Sequence, residues 1–449
     1  MGETAAVTYR RRSALNLNVL LAAVEAAPPV AAADVVGEAL SEALDARDVS
    51  FLIADYSGQS LIRLSHVNRA AAPTADGRER SDAVPLIGTP HGRALAEQQV
   101  QVLIEDGSSR LFAPVTSRGE AVGVLELALD GAPDEHTIAG VALAAHALAY
   151  VVIANRRFTD LYEWGQRSLP LSLEAEIQHR LLPVAYTLEA GQFTIAGWLE
   201  PAGDVGGDTF DFSVERDTLH LSMTDAMGHT LSAALLATVL VGALRNARRR
   251  AVDLAEQASL ASEALSGYAQ EDEFVTGQLV RIDLPSGTGR IVNAGHPPPI
   301  RVRDGRAERV VLDADLPFAT SPIASYRVQD LALRAGDRLV FLTDGMLERN
   351  ATSIDAMSIL TASRHLHPRE AVQDLTRSIV EACGGELRDD ATVLCLDWHG
   401  GPPRLREARA LTADVLAAAP SIPSTRCAGI AGLHARRDNA AHAATAAAY

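Results

Sequence analysis

Pro201-Ala202-Gly203-Asp204-Val205-Gly206-Gly207-Asp208-Thr209-Phe210-Asp211 opens a stretch that closes on Thr224-Asp225-Ala226-Met227-Gly228-His229. Between these acidic clusters lies the alternation Leu219-His220-Leu221-Ser222-Met223, the signature of a half-buried strand. Its two ends present carboxylates side by side. Two more acidic turns follow at the edges of predicted strands, Thr343-Asp344-Gly345 and Asp389-Asp390-Ala391-Thr392. Carboxylates gathered at strand ends, with no Lys or Arg inside the motifs, need a cation to coexist. Oxygen donors select hard divalent metals such as Mg²⁺ or Mn²⁺.

Working outward, the region from Gly191 to Trp398 reads as strand-rich with paired helices. Strands are predicted at Phe193–Leu199, Phe210–Val214, Leu219–Thr224, Phe274–Asp283, Gly289–Asn293, Val328–Leu333, Leu339–Thr343 and Thr392–Asp397. Helices are predicted at Leu231–Arg248, Leu254–Ala269, Ile354–Ser363 and Arg369–Cys383. The turns Pro285-Ser286-Gly287 and Asp304-Gly305 favour antiparallel pairing. Runs of strands with helices in pairs imply two sheets between helical layers.

Upstream, residues 1–155 form a separate block. Helices are predicted at Ser13–Ala26, Ala31–Arg47, Gly92–Gln98 and His136–Asn155, and strands at Val49–Ala54, Ser60–Ser65, Val100–Ile104, Arg110–Val115 and Ala121–Ala128. Its histidines, His66, His91, His136 and His146, read as surface or satisfied side chains rather than haem or metal ligands. Residues 156–183 form a linker in which Pro170 should break any helix. After it, Leu173, Ile177 and Leu181 fall on one helical face, with Glu174, Glu176, Gln178 and Arg180 pointing elsewhere. That stripe suits either packing on its own domain or a signalling, dimerising linker. Gly400-Gly401-Pro402-Pro403 ends residues 184–399, and the alanine-rich tail 400–449 is expected to be disordered apart from one helix at Arg404–Ala419.

Composition narrows the function. Forty basic residues, all arginine, against 57 acidic ones give a net charge of -17, which argues against nucleic acid as the main partner. Cys383, Cys395 and Cys427 make neither a disulfide framework nor a zinc cluster, and Arg388 falls one residue too early for a Cys383 phosphatase loop. Asn16, Asn18 and Glu25 interrupt the apolar N-terminal run, and no later run reads as long enough to span a membrane. The expected location is cytoplasmic.

The order of the motifs resembles the metal-dependent (PPM) serine/threonine phosphatases, in the bacterial branch typified by the stage-two sporulation phosphatase SpoIIE and the sigma-factor regulatory phosphatases. The resemblance covers Glu174 to Asp397. It runs through Gln178-His179-Arg180-Leu181-Leu182-Pro183, Val205-Gly206-Gly207-Asp208, Phe210-Asp211, Asp225-Ala226-Met227-Gly228-His229, Asn293-Ala294-Gly295-His296-Pro297-Pro298-Pro299, Leu342-Thr343-Asp344-Gly345-Met346-Leu347-Glu348 and Asp389-Asp390-Ala391-Thr392. It implies an α+β fold: an α-β-β-α sandwich following an N-terminal α/β domain. It also implies two Mn²⁺ or Mg²⁺ ions, about 3.5–4 Å apart, activating a water for in-line attack on phosphorus. Asp225 would bridge the ions and the Ala226 carbonyl would add an oxygen. Asp344 and Asp389 would complete the other site with Asp390 beside it. Asp208 would act directly or through water, and Asp211 is a weaker candidate. Catalysis would rest on Asp208, Asp225, Asp344 and Asp389, while Asn293 and His296 hold their loop. Thr209 replaces the family's usual aromatic residue and Thr230 its final glycine.

Ala113-Pro114-Val115, the hairpin Ser117-Arg118-Gly119-Glu120 and Val122-Gly123-Val124-Leu125-Glu126-Leu127 resemble a GAF-type sensory domain over residues 1–155. That resemblance implies a small-molecule ligand or dimerisation there. The family implies a phosphorylated STAS-domain anti-sigma-factor antagonist as substrate, with no membrane partner. The competing expectations are a catalytically weak ligand-sensing and protein-binding module, favoured by Thr209 and Thr230, and a metal-dependent phosphohydrolase of small molecules.

Overall fold

A computed structural model describes residues 16–68, 83–167, 171–201, 206–228, 231–321, 325–347, 355–384, 387 and 389–401. The first elements are α1 (Leu17–Ala26), α2 (Ala32–Leu44), β1 (Asp48–Ala54), β2 (Ser60–Asn68) and β3 (Val84–Pro85). There follow α3 (Pro90–Glu97), β4 (Gln101–Glu105), β5 (Ser108–Ser117), β6 (Glu120–Asp130) and α4 (Glu135–Asn155). The strands form one antiparallel sheet in the order β3-β2-β1-β6-β5-β4. Alternation decides what covers each face. Phe51, Ile53, Leu125 and Leu127 pack against α1, α2 and α4, whereas Leu52, Phe112 and Val124 pack against α3.

The linker carries α5 (Leu161–Gly165) and α6 (Leu173–Leu181). Ser172 caps α6 by accepting from the Ala175 N–H at 3.1 Å, and Glu174 and Glu176 occupy its first turn. The expected apolar stripe is not the buried face. Leu173 is 63% exposed, and the helix seats itself through Ala175 and Gln178 instead. A small residue lets α6 approach closely, and a satisfied amide is as buriable as a leucine. Pro170 lies outside the described residues.

Beyond the linker come β7 (Thr187–Ala190), β8 (Phe193–Glu200), β9 (Asp208–Val214), β10 (Thr218–Ala226), α7 (Leu231–Arg249) and α8 (Leu254–Ser266). Then follow β11 (Val275–Asp283), β12 (Thr288–Ala294), β13 (Ile300–Arg303), β14 (Arg306–Arg309), β15 (Gln329–Ala332), β16 (Asp337–Leu342), α9 (Ala356–Ala362), α10 (Pro368–Ala382) and β17 (Ala391–Trp398). Two antiparallel sheets result, β15-β12-β11-β10-β9 and β14-β13-β16-β17-β8-β7. Leu219, Leu221 and Met223 of β10 meet Leu339 and Phe341 of β16 and Leu394 and Leu396 of β17 in the core between them. The opposite faces are covered too: Leu279 and Val292 by α7 and α8, and Val340, Val393 and Cys395 by α9 and α10. The layers are therefore α-β-β-α. In α10, Pro368 sits at the first turn and Val372, Leu375 and Ile379 are buried, contributing roughly 2 kcal/mol each.

Hydropathy alone misleads at two helices. α4 and α7 are each long and apolar enough to cross a membrane, correcting the expectation that no such run exists. Half of the α4 window and 44% of the α7 window are buried inside the protein, where they serve as core helices.

The N-terminal block and the sandwich meet at the β5–β6 turn. The Glu120 carboxylate accepts from the Thr187 N–H at 2.7 Å, and the Glu189 N–H donates to the Arg118 carbonyl at 2.8 Å. Arg369, buried at the start of α10, donates to the carbonyls of Gly119 (2.8 Å) and Leu95 (2.6 Å).

Candidate active site

The acidic residues meet at one end of both sheets. Asp208 opens β9 and Asp225 lies near the end of β10, and the two are direct cross-strand partners. Asp344 follows β16, while Asp389 and Asp390 precede β17, its neighbour in the other sheet. Thr343 ties the two sheets together. Its hydroxyl donates to Asp208 Oδ2 at 2.7 Å and accepts from the Thr392 N–H at 3.0 Å. Gly206 lies so close to Asp390 that a Cβ would fall 1.3 Å from its Oδ2, and one on Gly207 would fall 2.3 Å from the Ala226 carbonyl oxygen.

The electrostatics follow from burial and crowding. Asp208 is 2% exposed, and burial together with Asp225 and Asp390 raises its carboxyl well above the ordinary range. Asp225 is pushed up to about 7 by burial and by the fields of Asp344, Asp389 and Asp390. Asp344 and Asp389 are exposed, and Asp390 is buried. The five carboxyls thus share one neighbourhood. Among the described residues, however, no group of three or more His, Cys, Asp or Glu side chains is arranged to hold a metal ion outright. The donor chemistry still suits a hard cation, because every donor is oxygen and the mutual repulsion is what a divalent ion relieves.

Asp211 is not part of this set. It is held by Arg245 at 3.0 Å and Arg248 at 2.9 Å, which makes it a structural ion-pair partner. Thr209 is accommodated by a buried hydroxyl pair with its cross-strand neighbour Thr224, at 2.6 Å. His229 and Thr230 lie outside the described residues. Asn293 Oδ1 accepts from the His296 N–H at 3.0 Å, and burial lowers the His296 imidazole to about 4, so it is neutral. Burial raises the Cys395 thiol to about 12 inside β17, a packing role. His91 Nε2 hydrogen-bonds Glu126 while its buried Nδ1 has no partner among the described residues, and His146 Nδ1 hydrogen-bonds the Thr116 carbonyl. The His66 side chain and Cys427 lie outside the described residues.

One site residue escaped the sequence reading. Gln178 of α6 is 2% exposed, and its Nε2 donates to the Asp208 carbonyl at 2.9 Å and to Asp390 Oδ2. Helical periodicity placed it on the face away from the stripe. Its place at the head of the Gln178–Pro183 motif was the available signal.

Residues 215–399 match the family model described as stage II sporulation protein E (SpoIIE). The matched segment contains Asp225, Asp344, Asp389 and Asp390 and begins after Asp208. The phosphoserine phosphatase RsbU of Bacillus subtilis is 20% identical over 236 residues, 50% of this chain and 69% of that protein. Among solved structures, the RsbU and RsbW domains of a Mycobacterium tuberculosis protein align with 24% identity and a TM-score of 0.43, covering 49% of this chain and 63% of that one. The phosphatase domain of Bacillus subtilis SpoIIE aligns with 18% identity and a TM-score of 0.37, covering 48% and 97%. With the family's motifs present in order, residues 215–399 match the SpoIIE family, and the likeness to RsbU supports a PPM-type protein phosphatase.

Proposed function

We propose that the chain hydrolyses phosphoserine or phosphothreonine on a small signalling phosphoprotein, an anti-sigma-factor antagonist of the STAS type, in the cytoplasm. One observation carries this: Asp208, Asp225, Asp344, Asp389 and Asp390 come from four separate stretches of chain to one end of the sandwich. Asp225, Asp344, Asp389, Asp390 and the Ala226 carbonyl would hold two Mn²⁺ or Mg²⁺ ions, with Asp208 behind them. When bound, such ions supply an activated water and neutralise charge on the phosphoryl group. The protein's own part is positional. Thr343 fixes the Asp208 carboxylate, Gln178 orients Asp390, and Gly206 leaves the space that Asp390 occupies. Residues 1–155 act as a GAF-like sensory block whose state reaches the site through residues 156–183.

The test measures phosphate release from a phosphoserine STAS protein with Mn²⁺ added, in wild type and Asp225→Ala side by side. Turnover should appear only with metal and vanish in the variant while its fold persists. Undiminished turnover in Asp225→Ala would sink the assignment.

A further inference from the structure

A cavity of about 710 Å³ lies where the N-terminal block, the linker and the sandwich meet. Its size is that of a small-molecule pocket. Both faces of the N-terminal sheet are already filled: Leu52, Phe112 and Val124 pack against Ala94 and Leu95 of α3, and Phe51, Ile53, Leu125 and Leu127 against α1, α2 and α4. The open volume is therefore between the blocks and not inside either.

Aromatic rings from all three parts line it. Tyr56 follows β1, His179 belongs to α6, and Tyr186 and Trp198 belong to the sandwich. Tyr56 and His179 have ring centroids 4.0 Å apart, His179 and Tyr186 6.2 Å, and Tyr186 and Trp198 6.4 Å. His179 Nδ1 bonds the Tyr186 hydroxyl at 3.0 Å, and burial lowers the imidazole to about 4. At neutral pH this wall is an uncharged π surface that suits a flat apolar body.

The rim has the opposite character from the chain as a whole. Six arginines line the cavity against four carboxyls, in a chain that carries 57 acidic and 40 basic residues. The carboxyls are engaged: Asp55 by Ser57 and Ser60, Glu120 by Thr187, Glu163 by Arg180, and Glu370 by Arg369. Arg93, in the first turn of α3, makes no side-chain bond among the described residues. Arg156 spends one N–H on the Val184 carbonyl at 3.1 Å. Cationic donors and aromatic rings thus line the same cavity.

We propose that this cavity binds a small amphiphilic anion, a flat aromatic or conjugated body carrying a carboxylate, sulfonate or phosphate. The rings seat the body and Arg93 and Arg156 take the anionic group. Binding there touches all three parts at once. The aromatic contacts continue from Tyr186 to Phe210 (5.4 Å), two residues from Asp208 on β9. The binding site stands apart from the phosphatase reading; only an effect of occupancy on turnover rests on it.

The probe is anilinonaphthalene sulfonate, titrated into the full chain and excited through tryptophan. One saturable site is expected, with emission sensitised by Trp198. In a Trp164→Phe, Trp398→Phe background, which leaves Trp198 as the one tryptophan donor, Trp198→Phe should remove that sensitised signal. Arg93→Glu should weaken binding about tenfold or more, and Arg93→Lys should restore it. The uncharged analogue phenylnaphthylamine should bind wild type and Arg93→Glu alike, which also reports an intact cavity. Equal sulfonate affinity in wild type and Arg93→Glu, unchanged sensitised emission in Trp198→Phe, or loss of both probes in Arg93→Glu would each overturn the proposal.

Discussion

Gln178→Ala probes the hydrogen bonds by which the linker helix reaches the acidic site. The substitution removes a buried Nε2 that donates to the Asp208 carbonyl and to Asp390 Oδ2. Removing a donor from two buried acceptors costs about 1–3 kcal/mol each, so the fold should lose up to about 6 kcal/mol. The sharper consequence is functional. Groups that orient a metal ligand are typically worth about 10–100-fold in metal affinity. The Mn²⁺ concentration giving half-maximal phosphate release should therefore rise at least tenfold, with activity recovered at saturating metal. Glu174→Ala, on the same helix with a partly exposed side chain, serves as the control. The assay pairs a thermal melt with a Mn²⁺ titration of turnover. A variant that melts early yet keeps the wild-type metal dependence would show that Gln178 only packs, and the orienting role would be refuted.

Arg369→Ala removes a buried guanidinium from the carbonyls of Gly119 and Leu95. It should cost about 2–4 kcal/mol and loosen the junction, read as faster amide exchange at the β5–β6 turn. His179 sets a pH dependence. Its folded pKa of about 4 lies below the ordinary 6.5, so the unfolded chain takes up a proton that the folded one refuses. Stability should be intact above pH 6.5 and fall progressively towards pH 4, by about 3 kcal/mol from this group. Denaturant melts across that window should show a shallower fall in His179→Phe, and an unchanged slope would contradict the burial argument.

Much of the sandwich was legible because its strands are long and alternate cleanly. In β10, Leu219, Leu221 and Met223 face one core, and the carboxylate pair at Asp208 and Asp225 follows from that register. The turn Asp304-Gly305 was readable, but the four-residue strands β13 and β14 that it joins were not, because four residues do not establish a period. β7 and α5 were missed for the same reason. Buried polar residues were the deeper loss. Gln178 and Arg369 look like solvent-facing positions until their partners are placed, and those partners lie 30 or more residues away. Asp211 erred in the opposite direction: Asp208 lies three positions before it in the same motif, while the arginines that hold it come from α7. Hydropathy could not distinguish a core helix from a membrane one, as α4 and α7 both show.

The β5–β6 turn limits how freely such chains exchange modules. Arg118 and Gly119 both adopt positive φ, 50° and 84°, and a Cβ on Gly119 would come within 2.8 Å of Glu189. An incoming N-terminal block of similar shape would still need a left-handed two-residue tip with glycine second, and a carboxylate directly after it for the Thr187 N–H. A chimera built by joining at the linker alone would leave Arg369 buried with its carbonyl acceptors gone. Grafting at this junction is therefore a matter of matching one tetrapeptide as much as one helix, and Ser117-Arg118-Gly119-Glu120 is the adaptor that a graft should carry across.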